Sequence, residues 1–462
     1  MRHLKNLLPV ALLLAAAAPA CKKADLEAPA SSLSPASPSA PAAPVTASFR
    51  DTAVAYSRDI YLWNTQIPAS FSGSSFTDLS AMMTSLRQYS TEPGFSGPVD
   101  KWSFAVTRAE WDGTSAGNAT GDFGMSVFFR TATDLRVKHV EPESPAGRAG
   151  IRRGWRIVKI NGSENFSTSN TNPVVQAVFQ SAASQFTFQR PDNGLVTLNL
   201  NAGGYHERPI IKDTVLQAGG KNIGYFAFNS FMGDSAEVAN GFRTAFTRYA
   251  SAGVSELVVD LRYNGGGYVY MAENLANYIA PAAANGSLMM KQQFNARNSA
   301  YNQDTYFRKQ GSLNLQRVIF IVSKSTASAS ELLINNLKPW MNVVLVGPTA
   351  THGKPVGFFP IPVQDWYIFP VSFKTVNKNG EGSFYNGIPV NAAVADGLDK
   401  DWGDPTEACL QAAISYSVNG TFSIAGRSTE LQNVSDDRIQ KGNANLDFDG
   451  FKGAVDSRGF RH

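Results

Sequence analysis

The sequence predicts a multidomain chain that joins α/β and β architecture, and three observations carry that prediction. Hydrophobic residues fill 43% of the 462 positions and charged residues only 17%, which leaves enough apolar surface for two or three cores. The text changes character along its length, from helical spacing, to short β runs broken by glycine, to strands alternating with helices. The last pattern, over residues 205–418, predicts an α/β core with a largely parallel sheet.

The chain opens "MRHLKNLLPVALLLAAAAPAC": a basic start, an apolar stretch, then small residues. This is a secretory signal peptide over residues 1–20, too short and alanine-rich for a membrane span. Two cleavage readings stand side by side. Ala18-Pro19-Ala20 fits an ordinary small-x-small site, and Cys21 followed by "KKADLEAP" looks like the lipidated first residue of a bacterial lipoprotein. Ala18 stands where a lipoprotein usually has leucine, but Cys21 has no better explanation at this point. The expected location is the cell envelope, periplasm or outer membrane, with a lipid anchor on Cys21 reaching the membrane. Residues 21–47 are rich in Pro, Ala and Ser and read as a flexible tether.

Residues 48–115 carry apolar side chains at three- and four-residue spacing, as in "FRDTAVAYSRDIYLWNTQIP", and predict a helical N-terminal region. Residues 120–200 turn to β. "LRVKHV" alternates, "SPAGRAGI" is a short helix, and "RIVKINGS" is a strand running into an Asn-Gly turn. In the core, "NIGYFAF", "ELVVDL", "RVIFIV" and "NVVLVG" are the strands, separated by helical stretches such as "AEVANGFRTAFTRYA". Residues 419–462 return to polar, glycine- and aspartate-rich text and are expected to form a loose tail.

Several function classes drop out. The net charge of +4 comes with no dense Lys/Arg run, so no nucleic-acid partner is expected. The five histidines fall at no metal-ligand spacing, so neither a metal nor a cofactor is expected. Besides Cys21 there is only Cys409, within "EACLQAAISY", which reads as a small buried apolar residue outside any disulfide.

The block 120–200 resembles a PDZ domain through Phe123-Gly124-Met125 and "LRVKHVEPESPAGRAGIRRGWRIVKINGS". The resemblance implies that the amides of Phe123, Gly124 and Met125 hold the terminal carboxylate of a peptide added as an extra strand. Trp155, where aspartate is common, reads as packing.

Three stretches of the core raise the question of chemistry. "STASASELL" (325–333) lies between a strand and a helix, where helix amides favour developing negative charge. Ser328-Ala-Ser-Glu331 also fits a capping box, in which serine merely satisfies backbone donors. "DLRYNGGG" (260–267) follows a strand, and its three glycines either make a plain turn or let an amide approach a reacting oxygen. "THGKPVGFF" sets Lys354 among apolar neighbours. To act as a base near neutrality, a lysine must lose about three pKa units, or about 4 kcal/mol, which burial can supply.

Together these stretches resemble the C-terminal processing peptidases, or tail-specific proteases, across most of residues 120–418. The family is built on a Ser–Lys dyad, a PDZ domain and a crotonase-like α/β core. The resemblance implies Ser328 as nucleophile, Lys354 as general base, and the amides of Ala329 and of the Gly265–Gly267 turn, at Gly266, as oxyanion donors. Many members place glutamine four residues after the lysine. Here that position is Phe358, leaving Gln364 or Asp365 to orient Lys354, or the dyad to act alone. His352 reads as a bystander, and Asp260 and Arg262 as structural. "DIYLWNTQIP" and "DKWSF" are similar to members found as lipoproteins. The implied function is a secreted or lipid-anchored serine endopeptidase cutting protein or peptide substrates with free C-termini, near those ends. The alternatives are a PDZ-containing peptide-binding scaffold with a decayed site, and a hydrolase of esters, which would have no use for a domain that binds peptide tails.

Overall fold

The structure is a computed structural model that describes residues 48–422, 437–446 and 452–458. Cys21 and the signal peptide lie outside the described residues.

The first helix, Phe49–Ile60, starts at a full capping box: Ser48 Oγ accepts the Asp51 N–H and the Asp51 carboxylate accepts the Ser48 N–H, both at 3.2 Å. A second helix, Leu79–Leu86, is capped by Asp78. The region is not wholly helical, however. Phe104–Thr107 is a strand, paired antiparallel with Trp366–Phe369. Nor does the region pack apart, because Trp63, Met82 and Trp102 share one buried cluster with Phe226, Leu332 and Phe358. Four residues are too few to register against the surrounding helical spacing, and the partner strand lies far along the chain.

Residues 125–201 form a five-stranded antiparallel sheet in the order Met125–Phe129, Leu135–Val140, Arg156–Ile160, Ala183–Gln189, Leu195–Asn201. Its core holds Phe123, Met125, Val127, Leu135, Val137, Phe186 and Phe188. Trp155 packs against Phe188, with ring centroids 5.8 Å apart. Asn161 and Gly162 both adopt positive φ, as the Asn-Gly turn requires. Arg153 ties this sheet to the α/β core by pairing with Asp396. Asp396 also pairs with Arg262, which is buried between Asp260 and Glu407. Arg262 and Asp260 are thus an internal ion network.

The α/β core is a six-stranded sheet in the order Ala392–Ala393, Asn342–Gly347, Arg317–Ile321, Glu256–Asp260, Lys221–Phe228, Ile210–Ala218, parallel except for the last pair. Residue parity sorts its two faces. Val258, Ile319 and Val344 pack with the helix Ala408–Asn419, in which Cys409 is buried. Val259 and Phe320 face the cluster that includes helices Ser235–Ser251, Val269–Ile279 and Ala329–Leu337.

A second six-stranded sheet overturns the expected loose tail. Its order is Gly266–Tyr268, Gly453–Val455, Val356–Phe358, Val371–Asn377, Leu288–Phe294, Gln303–Tyr306. Gly453–Val455 therefore lies inside the sheet, between the glycine turn and the strand that follows Lys354. The burial of Ala454 and Val455 gives the reason. Ahead of it, the helix Asp437–Ala444 sends Asn443 to bond both the N–H and the carbonyl of Phe129, at 2.7 and 2.9 Å.

Candidate active site

Ser328 sits at the N-terminus of helix Ala329–Leu337, 1% exposed, with φ 57° and ψ −106°. Positive φ at a serine costs about 1–3 kcal/mol, so the surroundings must impose it. They do so through three bonds to the segment leading into the glycine turn. The Ala327 N–H and Ser330 Oγ donate to Asn264 O at 3.0 and 3.1 Å, and Thr326 Oγ1 donates to Leu261 O at 2.7 Å. Ser328 Oγ itself donates to Val356 O at 3.4 Å. The adjoining Ala329 N–H meets no acceptor among the described residues. It is an open amide at a helix N-terminus, suited to a negative oxygen.

Glu331 does more than cap. Its carboxylate, fully buried, accepts the Ser328 N–H at 2.8 Å, the Lys354 N–H at 2.8 Å, the Gly353 N–H at 2.6 Å and the Thr351 hydroxyl at 2.5 Å. One side chain thus fastens the serine turn to the lysine loop. Burial pushes its carboxyl above the usual range, and these four donors pull the other way. Glu331→Gln replaces one acceptor oxygen with an NH₂ group aimed at donors. We expect a loss of about 3 kcal/mol in urea unfolding at neutral pH, against the contrary result of under about 1 kcal/mol.

Lys354 is 1% exposed. Its Nζ donates to the carbonyl of Lys452 at 2.8 Å and lies 3.6 Å from the Phe358 ring centroid and 5.7 Å from that of Trp102. Burial holds the amine well below its ordinary pKa, against the upward pull of Asp100 and Glu331. Phe358 thus gives the lysine a ring face where the resemblance implied a glutamine amide. Gln364 and Asp365 do not orient it. They sit exposed at the turn between Ile361–Val363 and Trp366–Phe369, where Asp365 O accepts the Arg108 N–H.

The wall around Lys354 comes from the N-terminal region. Asp100 accepts the Tyr61 hydroxyl at 2.8 Å and the Ser103 hydroxyl at 2.5 Å, which fixes the "DKWSF" turn. Trp102 Nε1 donates to His352 Nε2 at 3.1 Å, and His352 Nδ1 lies 3.2 Å from Lys324 O. That network assigns a neutral imidazole carrying its proton on Nδ1. Burial and the Lys452 charge push His352 down to about 4. It braces Trp102 and makes no bond to Ser328.

Gly266 and Gly267 have φ 107° and 138°. A Cβ on Gly266 would fall 2.3 Å from Gly453 O and 3.1 Å from Ala329 N, so glycine is required beside the open amide. The Gly266 N–H, expected to face an oxyanion, instead donates to Asn264 Oδ1 at 2.9 Å, because the Asn264 side chain folds back along the turn. Ser328 and Lys354 likewise each bond a main-chain carbonyl and not each other.

In the glycine loop of the five-stranded domain, Phe123 and Met125 point into the core and Gly124 has φ 67°. The Gly124 N–H donates to Asp122 Oδ1 at 2.6 Å. A cleft of about 1050 Å³ has both Gly124 and Gly265 in its lining, and Lys452 as well. Among the described residues no group of three or more His, Cys, Asp or Glu side chains could hold a metal ion.

Residues 222–394 match the model of Peptidase family S41. The chain carries an S41 peptidase domain. Its matched span holds Gly266, Ser328, Ala329, Glu331 and Lys354, but not Asp100, Trp102 or Lys452. The carboxy-terminal processing protease CtpB of Bacillus subtilis (strain 168) is 26% identical over 278 residues, 56% of this chain and 53% of that protein. The chloroplastic C-terminal processing peptidase of Tetradesmus obliquus is 26% identical over 256 residues, 52% of each chain. The chain thus spans about half the length of these curated relatives. The crystal structure of a Bacteroides fragilis NCTC 9343 protein assigned to the S41 proteases superposes with a TM-score of 0.65 at 22% identity, over 83% of this chain and all of that one. The S41 domain therefore sits in a mixed α/β fold of the kind seen in S41 protease structures.

Three residues of the site escaped the sequence reading. Asp100 and Trp102 carried a signal in "DKWSF", but nothing local tied that motif to Lys354. Lys452 acts through its carbonyl, which no side-chain pattern announces.

Proposed function

We propose that the chain is a serine endopeptidase that hydrolyses peptide bonds of protein substrates by acyl transfer through Ser328 and Lys354. The observation that carries this reading is the shared Glu331 clamp. One carboxylate holds a strained serine, set beside an open helix amide, and a buried lysine kept well below its ordinary pKa.

The chemistry follows from the groups in place. The Lys354 amine gives one N–H to Lys452 O and keeps its lone pair for the Ser328 proton. Ser328 Oγ gives up Val356 O, passes its proton to Nζ and attacks the substrate carbonyl. The Ala329 amide receives the oxyanion, joined by Gly266 once that amide leaves Asn264 Oδ1. Each donor is worth about 3 kcal/mol to the transition state. The Lys354 ammonium then protonates the leaving amine. Water, deprotonated by the regenerated amine, releases the acyl group and restores Ser328. Catalytic hydrogen bonds commonly tighten only when substrate binds, so carbonyl-bound starting positions fit this sequence of events.

Cutting near substrate C-termini draws on the names of the relatives, and the cleft from Gly124 to Gly265 gives a peptide a route between the five-stranded domain and the glycine turn. The N-terminal sequence supports secretion and a lipid anchor on Cys21 in the cell envelope. Intact-mass spectrometry of the mature protein should give a diacylated or triacylated Cys21, and an unmodified mass would remove the anchor. A scaffold without turnover is the second reading, favoured by one observation: Lys354 Nζ bonds Lys452 O and not Ser328. Incubation with casein across the neutral-to-alkaline range separates the two. The peptidase reading expects fragments to accumulate, and intact casein throughout would move the scaffold ahead.

A further inference from the structure

We propose that Asp122 sets the specificity of the Phe123–Met125 loop by filling it with the chain's own carboxylate, so that the loop admits uncharged peptide segments and turns away a free terminal carboxylate. The proposal rests on the peptide-substrate reading for the class of ligand, but not on turnover.

The central one of the three loop amides expected to meet a ligand carboxylate is already committed. Gly124 N–H donates to Asp122 Oδ1 at 2.6 Å, and the Tyr205 hydroxyl donates to the same oxygen at 2.8 Å. Tyr205 comes from Gly203–His206, the strand paired with Asn118–Asp122, so two elements hold the carboxylate in place. The other side of Gly124 is fixed as well. Its carbonyl accepts the Glu141 N–H at 2.8 Å and the Ser144 hydroxyl at 3.3 Å. A Cβ on Gly124 would overlap the Ser144 side chain, at 2.0 Å. The loop therefore has little freedom to swing its amide toward a different acceptor.

The charges facing the loop point the same way. Asp122, Glu141 and Glu207 line one cleft wall. Burial pushes Glu207 up to about 7, and Glu141 and Asp122 add to the rise. An entering carboxylate would meet the same negative surroundings. Three nearby basic side chains have other engagements. His139 pairs with Glu141 at 2.7 Å, Lys138 lies over the Tyr263 ring at 4.7 Å, and Arg208 pairs with Glu143 and Glu237. Because Gly124 and Gly265 line one cleft, a choice made at the loop is a choice of what approaches the serine turn.

The test reads binding, so it stands apart from hydrolysis. Fluorescein-labelled peptides of about ten residues, randomised at the last three positions, are made as free acids and as C-terminal amides, long enough to add a strand and end at the loop. Anisotropy titrations use the full chain carrying Ser328→Ala, alone and combined with Asp122→Ala or Asp122→Asn, after a thermal melt to establish folding. We expect the parent to bind amides more tightly than acids. Asp122→Ala should raise acid affinity about tenfold and reverse the order. Asp122→Asn keeps the acceptor for Gly124 and removes the charge, and should fall between them. It is read alone if Asp122→Ala does not fold. Tighter binding of acids by the parent, an unchanged acid-to-amide ratio in a folded Asp122 variant, or binding of neither form would overturn the proposal. Fragmentation of casein by the wild-type chain would stand or fall regardless of that result.

Discussion

Ser328→Ala is expected to cut peptide hydrolysis by about a thousandfold or more while the chain stays folded. No neighbouring hydroxyl is placed to substitute. Ser330 Oγ is spent on Asn264 O, and Thr326 Oγ1 on Leu261 O. The fold should hardly notice the change. The bond that Ser328 Oγ donates, the 3.4 Å contact to Val356 O, is lost, and alanine must adopt the same positive φ as serine. The Glu331 bond to the residue 328 N–H survives, because it is made by the main chain. A melting temperature within about 2 °C of wild type fits these small changes. Retained hydrolysis would remove Ser328 from the mechanism. Lost hydrolysis with a collapsed melt would return it to the role of cap.

Lys354→Met should abolish turnover and, unlike most core substitutions, stabilise the folded chain at neutral pH. The physical cause is the buried amine. Lys354 is held well below its ordinary pKa by burial, so the folded chain keeps it neutral at pH values where the unfolded chain protonates it. Between the depressed folded value and about 10.4, the unfolded state binds more protons, and stability rises with pH by about 1.4 kcal/mol per unit from this group. Methionine fills similar space, keeps the contact with the Phe358 ring and lacks the slope. The advantage of the variant should therefore be larger at neutral pH and shrink as pH climbs toward about 10.4. Urea unfolding of both proteins at stepped pH values reads this directly. Parallel stability curves would mean that the folded lysine is charged, and a charged lysine cannot take the Ser328 proton.

The activity profile has the same origin. Lys354 must be free base to act, so hydrolysis should fall as pH drops through its lowered pKa. His352, pushed down to about 4, contributes no step to the profile near neutrality.

What could be read in the sequence was local chemistry beside strong strands. Ser328 and Lys354 each follow an apolar strand of the parallel sheet, and the motif around each is short and contiguous. The Ala329 amide comes with the helix start. What could not be read was anything carried by the main chain or by distant pairing. The strand Phe104–Thr107 is recognisable only beside Trp366–Phe369. Gly453–Val455 is three residues in polar text, with no periodicity to detect, yet it fills a sheet position and brings the carbonyl that holds Lys354. Gln364 and Asp365 look well placed by count, but a tight turn carries them to the surface. Glu331 was legible as half of a capping box. Its second role, gripping the lysine loop, depends on the sheet bringing residues 351–354 alongside the helix start.

One measurement bears most directly on the Ser–Lys account: labelling the wild-type chain with a biotinylated fluorophosphonate, followed by peptide mapping. The account predicts a single adduct on Ser328, formed faster as pH rises through the Lys354 titration and lost in Lys354→Met. An adduct on Ser325 or Ser330, or none on the folded wild-type chain at any pH, would contradict it.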